Sequence, residues 1–304
     1  MNTDERIAIG VSSCLLGNRV RYDGGHKYDA HVIALAGHHF DLRAFCPEAG
    51  AGLGVPRPAI RLVAGPAGVR ALGVADPGRD VTDRLAAFGD AQVAGLATLS
   101  GFILKSGSPS CGMAGVRVYD SRGAVTGHSA GVFAAGIRAR CPQLPVVEAE
   151  SLGAAPAREN FIQRVVVYHR WRAALAKGLD AQALAGFHAA VRWLLMSRDP
   201  DASSRLGALV ASVRGENLPA VAAQYIAGVM ATLATIATRD GHARVLCRIA
   251  AALGPLARAE LAPVIHRYRE GEIPLLTPLN AVKRHLDRER APDIELDWYL
   301  SPYP

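Results

Sequence analysis

The chain has 304 residues and a mass of 32.0 kDa, with 50% hydrophobic and 20% charged residues. At roughly 150 residues per domain this predicts two domains, each able to bury a core, and it excludes a disordered chain or a fibrous repeat. The formal charge of +7, carried by 34 basic residues of which four are lysine, favours anionic partners.

Met1-Asn-Thr-Asp-Glu-Arg6 has neither the basic flank nor the apolar core of a secretory signal. Four short apolar runs then read as strands: Ile7–Val11, Leu42–Phe45, Gly101–Leu104 and Pro145–Val147. Helix-like stretches at 30–36, 81–99 and 132–138 separate them. Strands alternating with helices predict an α/β domain with a Rossmann-like parallel sheet over residues 1–157. In such sheets ligands sit beyond the carboxyl ends of the strands. The Gly- and Pro-rich stretch 65–73 reads as a loop or lid, and His38-His39 as a surface loop.

Residues 158–178 read as a connecting amphipathic helix with Ile162, Val165, Val166 and His169 on one side. From 179 to 304 the strand signals vanish. Apolar stripes take over: Phe187, Val191, Leu194 and Leu195; Leu206, Leu209, Val210 and Val213; Leu246, Ile249 and Leu253; Leu261, Val264, Ile265 and Tyr268. That pattern predicts an all-α helical bundle. Asn217–Thr238 carries no charge over 22 residues, long enough to cross a bilayer. Its large apolar residues, Ile226, Val229, Met230 and Leu233, instead form one helix face, which predicts a bundle helix and a soluble cytoplasmic protein with no membrane partner. Residues 1–160 carry a net +2 and residues 161–304 a net +5. The apolar tail Trp298-Tyr-Leu-Ser-Pro-Tyr-Pro304 is expected to dock.

Five cysteines without a Cys-x-x-Cys pair argue against a disulfide framework and a zinc ribbon. Cys14, Cys46 and Cys111 each follow an apolar run and sit in a Gly/Ser/Pro turn. Strand ends of one sheet bring such turns together, and three thiolates suit a soft iron–sulfur centre in which one iron keeps an open position. Three buried small hydrophobes are the alternative. Cys141 and Cys247 read as packing residues.

Three segments share a pattern with a known family: Cys14-Leu-Leu-Gly17 with Val20-Arg-Tyr-Asp-Gly24, Cys46-Pro-Glu48 with Gly52-Leu-Gly-Val-Pro-Arg57, and Lys105-Ser-Gly-Ser-Pro-Ser-Cys111-Gly112. Over residues 7–150 the chain resembles the thiouracil desulfidase family. The second half resembles a helical domain often fused to it, through Phe187-His188, Leu206-Gly207, Tyr268-Arg269 with Gly271-Glu-Ile-Pro-Leu275, and the terminal Tyr299–Pro304. The fused architecture resembles RNA 4-thiouridine desulfidases, which act on tRNA. It departs from them at Phe187-His-Ala-Ala-Val191-Arg192, Leu195-Met-Ser-Arg198 and Arg244-Val-Leu246, where the usual second His-Lys, Ala-His and Asn-Val-Leu are missing.

The resemblance implies a [4Fe-4S] cluster on Cys14, Cys46 and Cys111 with one iron not ligated by protein. It also implies Glu48 as general acid/base and Ser106 as the group that orients water. Glu48 lies two residues after a ligand cysteine; its alternative role is a first-turn carboxylate or a salt bridge. Lys105 is a candidate to stabilise developing negative charge. Arg19, Arg21, Tyr22 and Asp23 either shape a base pocket or form a solvated turn. The substrate expected is 4-thiouridine in tRNA. The rivals are free thiopyrimidine bases or nucleotides, and a cluster-based sensor or binding module without turnover. Arg192, Arg198, Arg205 and Arg214, with Lys283, Arg284, Arg288 and Arg290, are the candidate phosphate contacts, solvated helix faces being their alternative. No protein partner can be inferred.

Overall fold

The structure, a computed structural model, describes residues 6–37, 39–66, 68–289 and 298–300. The chain folds as two compact units, Met1–Val165 and Val166–Pro304. The division falls inside one helix, α6, Ala155–Ala176, which covers most of the expected connecting segment.

In the first unit, β1 (Ile7–Ser12), β2 (Phe40–Phe45), β5 (Gly101–Leu104) and β8 (Val146–Glu148) form a parallel sheet in the order β2-β1-β5-β8. β1 and β5 are buried along their whole length, as a sheet covered on both faces requires of its central strands. Between them run the short helices α1 (Ala30–Ile33), α2 (Pro47–Gly50) and α4 (Val93–Leu96), and the longer α3 (Thr82–Ala91); α5 (Val132–Arg140) precedes β8. Phe102 of β5 packs edge-on against Phe133 of α5 and at a tilt against Phe45 of β2, tying the sheet to its helical layer.

A second sheet corrects the sequence reading. β3 (Ile60–Gly65), β4 (Gly68–Gly73), β6 (Val116–Tyr119) and β7 (Val125–Ser129) pair in the order β4-β3-β6-β7, with antiparallel hairpins outside and a parallel pair between them. The described part of the stretch 65–73 is therefore no lid: Gly65 ends β3 and Gly68–Gly73 is the second strand of an antiparallel hairpin. Its alternation, with Arg70 in a double ion pair to Asp80 and Asp83 while Ala71 is fully buried, is that of a half-exposed strand. His38 lies outside the described residues, and His39 is exposed just before β2.

The second unit is helical, as its stripes predict. It comprises the end of α6, then α7 (Ala181–Met196), α8 (Pro200–Ala211), α9 (Leu218–Leu233), α10 (Arg239–Ala252), α11 (Pro255–Arg269) and α12 (Leu276–Glu289). Asp180, Asp199 and Thr238 cap α7, α8 and α10 with side-chain oxygens. The 217–238 segment is a core helix: Tyr225, Val229 and Leu233 are fully buried. No described helix is long and apolar enough to cross a membrane. The tail docks where it is described. The Trp298 amide donates to the Ala190 carbonyl, its ring meets Phe187 edge-on, and Tyr299 and Leu300 join the core. Cys247 is exposed, not packed: on α10 the buried side chains are Val245, Leu246, Ile249 and Ala250, and 247 turns away from them.

His242 is partly buried beside this core, with its Nδ1 2.8 Å from the Tyr299 hydroxyl. Burial, reinforced by Arg198, pulls its pKa from 6.5 down to about 4, so the folded unit holds it neutral. The unfolded chain takes up the proton as pH falls below 6.5 and the folded unit only near 4. Stability is therefore lost across that window, by about 3 kcal/mol at most, and no further below it. Urea titrations of wild type and His242→Asn between pH 7 and 4 check this. The asparagine variant is expected to lose less stability over the window, and identical slopes would refute the assignment.

A cavity where three strands end

Each cysteine of interest closes a neighbouring strand of the parallel sheet. Cys14 sits in a 3-10 turn, Ser13–Leu16, directly after β1; the Gly17 and Lys27 amides both donate to its carbonyl. Cys46 ends β2 and caps α2, and its thiol lies 3.7 Å from the Val20 carbonyl. Cys111 follows β5 in the 105–112 loop, where Ser108 Oγ accepts from the amides of Ser110 and Cys111. Since β2, β1 and β5 are adjacent, residues 32 and 65 apart in sequence arrive at one rim.

All three cysteines line one cavity of about 320 Å³, together with Ser12, Arg21, Tyr22, Glu48, Arg57, Lys105 and Ser106. Burial pushes the Cys111 thiol up to about 12, with Ser12 bonding to it in opposition. Burial also raises Cys14, which the charges of Arg21 and Lys105 partly offset.

Glu48 is held at both oxygens. Arg57 donates to Oε2 from Nε at 2.8 Å and Nη2 at 2.7 Å, and Ser110 Oγ donates to Oε1 at 2.9 Å. Arg57 is itself nearly inaccessible, at 3% side-chain exposure, and also donates to the carbonyls of Gly54 and Val20. The salt bridge considered as an alternative for Glu48 therefore exists on the cavity wall itself. Lys105 Nζ reaches Glu150 at 2.7 Å and donates to Ser106 Oγ at 3.1 Å and the Ser106 carbonyl at 2.9 Å.

The four residues expected to shape a pocket divide. Arg21 and Tyr22 line the cavity. Arg19 and Asp23 are exposed and lie off its wall, and Asp23 closes the turn by accepting from the Gly25 amide at 2.9 Å. Three side chains given no role from sequence belong to the site: Arg57, Ser110 and Ser12. Ser12 Oγ accepts from the Lys105 amide at 3.0 Å and so joins the ends of β1 and β5. All three sit inside or beside the motif segments, so the motif was the signal. What sequence lacked was the pairing of Glu48 with two of them.

Among the described residues no three His, Cys, Asp or Glu side chains close around a single ion. One ion bound by thiolates at about 2.3 Å would draw the sulfurs to roughly 3.8 Å apart. A cluster is a different case, because each thiolate takes its own iron and the sulfurs stand wider. Three soft donors around one cavity, with no fourth described cysteine on its wall, fit a cluster with three protein ligands.

Of the basic residues expected to touch phosphate, Arg198 spends its guanidinium on the carbonyls of Thr235 and Leu194, and Arg214 on those of Ala211 and Val213. Arg205 pairs with Asp199 at 3.6 Å. Arg192 lies over the Trp193 ring. Lys283 and Arg284 are exposed, Arg288 stands 3.7 Å from Glu260, and Arg290 is outside the described residues.

Comparison with known proteins divides the chain as the fold does. Residues 9–149 match the family model described as 2-thiouracil desulfurase, and residues 192–304 match that described as a protein of unknown function (DUF1722). The chain is 28% identical over 133 residues to the uncharacterized protein YbgA of Escherichia coli (strain K12), covering 42% of this chain and 79% of that one. Among solved structures it is similar to the [4Fe-4S]-dependent thiouracil desulfidase TudS. The identity is 30%, over 49% of this chain and 94% of that one, with a TM-score of 0.37.

Proposed function

With residues 9–149 forming a thiouracil desulfurase family domain, joined in sequence to a helical region, we propose that the chain is a desulfidase that replaces the sulfur of a thiopyrimidine by oxygen, with 4-thiouridine in tRNA as substrate. The observation that carries this reading is the single cavity walled by Cys14, Cys46, Cys111 and Glu48 at the ends of three adjacent strands. The three cysteines would hold a [4Fe-4S] cluster with one iron free of protein ligands. When bound, it supplies a soft Lewis acid that prefers a thiocarbonyl sulfur to a carbonyl oxygen.

The remaining roles fall to this chain's own side chains. Glu48 Oε1 takes a proton from the attacking water, a step that Arg57 prepares by holding Oε2 fixed. Ser106 Oγ, bonded to Lys105, orients that water, and the Lys105 ammonium offsets negative charge as it develops. Water provides the oxygen of the product and two protons, and sulfur leaves as hydrogen sulfide, so no redox partner is needed. At about 320 Å³ the cavity is at the small end of ligand pockets, so a base inside folded RNA must leave its stack to enter. Free thiopyrimidines meet no such barrier and are the second reading, which the small cavity favours.

Anaerobic reconstitution, iron and sulfide counting, and a hydrosulfide assay on thiolated tRNA and on free thiouracil test both readings. Turnover of tRNA is expected to fall steeply with salt, because each phosphate contact contributes a log–log slope of about −0.7 to −0.9. Salt-independent turnover that favours the free base would reject the tRNA reading. Reconstituted protein that releases no hydrosulfide from either would reject the enzyme in favour of a sensor or binding module.

A further inference from the structure

Residues 17–29 leave the Cys14 turn and fold back onto it. The Lys27 amide donates to the Cys14 carbonyl at 2.8 Å and the Asp29 amide to Leu15 at 3.0 Å, while Arg57 donates its amide to the Tyr22 carbonyl at 2.8 Å. The backbone is thus pinned at both ends and in the middle. What it presents outward is unlike an ordinary surface turn. Tyr22 is 43% exposed and Tyr28 56% exposed, beside the exposed cations Arg19 and Lys27. The Arg21 guanidinium lies 5.4 Å from the Tyr22 ring centre, and Tyr22 itself forms part of the cavity wall. The Tyr28 ring lies over Gly17, where an added Cβ would stand 3.5 Å from it. The loop therefore joins exposed aromatic rings and cations to the cavity wall through Arg21 and Tyr22, with Asp23 pairing to Arg21 at 3.5 Å and leaving Arg19 and Lys27 as its exposed positive charge.

We propose that this loop is a stacking platform for the nucleotides that flank the thiolated base, its partner class being single-stranded or splayed RNA. The proposal rests on the thiopyrimidine reading of the cavity. Single strands are held by aromatic faces for their bases and cations for their phosphates, and the loop supplies both. A free base fills only the cavity and has no use for Tyr28. An acidic peptide would use the cations but not the rings. Because the backbone is already fixed, little ordering cost attends binding.

The test uses the cluster-loaded full chain and two measurements. First, the ratio of kcat/KM on thiolated tRNA to that on free thiouracil is expected to drop roughly 5- to 150-fold in Tyr28→Ala and to recover in Tyr28→Trp. Second, anisotropy of a labelled, sulfur-free oligouridine should show Tyr28→Ala binding weakened by a comparable factor, and Arg19→Ala lowering the salt slope by about 0.7. The second measurement needs no turnover, so it judges the platform even where the desulfidase reading fails. Oligouridine binding unchanged in Tyr28→Ala, or a glutamate peptide of equal charge bound as tightly, overturns the proposal. Circular dichroism of Tyr28→Ala is expected to match wild type, since the ring is mostly exposed.

Discussion

Glu48→Gln is expected to lower the rate of hydrosulfide release about 10²- to 10⁴-fold while leaving iron content unchanged. The glutamine keeps the size of the side chain. Its amide oxygen can face Arg57, and its NH₂ can donate to Ser110 Oγ, so the wall of the cavity stays intact. The capacity to take a proton is removed, together with the negative charge that faces the buried Arg57. Arg57→Lys is the companion variant. A lysine cannot reach Glu48, Gly54 and Val20 at once, so Glu48 loses its fixed position but not its chemistry. Arg57→Lys should therefore cost less than Glu48→Gln, and the double variant little more than Glu48→Gln alone. Iron counting beside single-turnover kinetics checks both. Glu48→Gln turning over at the wild-type rate would remove Glu48 from the chemistry.

Gly131→Ala should disable the same site from behind. Gly131 precedes α5 with φ −66°, a conformation alanine adopts freely, so backbone strain is not the issue. Space is. An added Cβ would stand 2.5 Å from the Ser110 carbonyl carbon, 2.6 Å from its oxygen and 2.9 Å from the Cys111 nitrogen. Those are backbone atoms with no flexible end to swing aside. Gly131 also donates to the Gly112 carbonyl, and Phe133 and Ala134 donate to the Ser110 carbonyl, so the loop cannot retreat without breaking bonds. Overpacking of this kind costs roughly 1–3 kcal/mol. In function the effect should be larger, because the displaced peptide carries both Ser110, bonded to Glu48, and Cys111. Loss of most reconstituted iron, with far-ultraviolet circular dichroism retained, is the expected result. Full iron loading would show that the contact yields.

The parallel sheet could be read from sequence because its strands are buried on both faces. Ile7–Val11 and Gly101–Leu104 are unbroken apolar runs that end in Ser/Gly turns, and the chemistry sits in those turns. The second sheet could not be read in the same way. β4 pairs Arg70 outside with Ala71 inside, and β6 does the same with Arg117 and Val118, over strands of only four to six residues punctuated by Gly and Pro. Short, half-polar strands carry too little period-2 signal to outweigh their glycines. In the bundle, the wide stripes such as Ile226, Val229, Met230 and Leu233 were clear and are all buried. Cys247 misled because it neighbours Leu246 in sequence, yet one residue along a helix is a turn of about 100°. At the site the cysteine motif located the cavity. The grip of Arg57 on Glu48 was hidden because it depends on the Gly52–Arg57 segment folding back toward α2, where the Leu53 amide donates to the Glu48 carbonyl.

The way the strands are ordered also sets a timetable for biosynthesis. Cys14 and Cys46 leave the ribosome early, on strands that pair directly with each other, whereas Cys111 waits until β5 is translated and inserted on the far side of β1. A nascent chain short of that point has two thiols of the three and no closed wall. The cavity wall is thereby closed only once the parallel sheet is threaded, so whatever group the three thiols take up can be held only by a chain whose topology is already right.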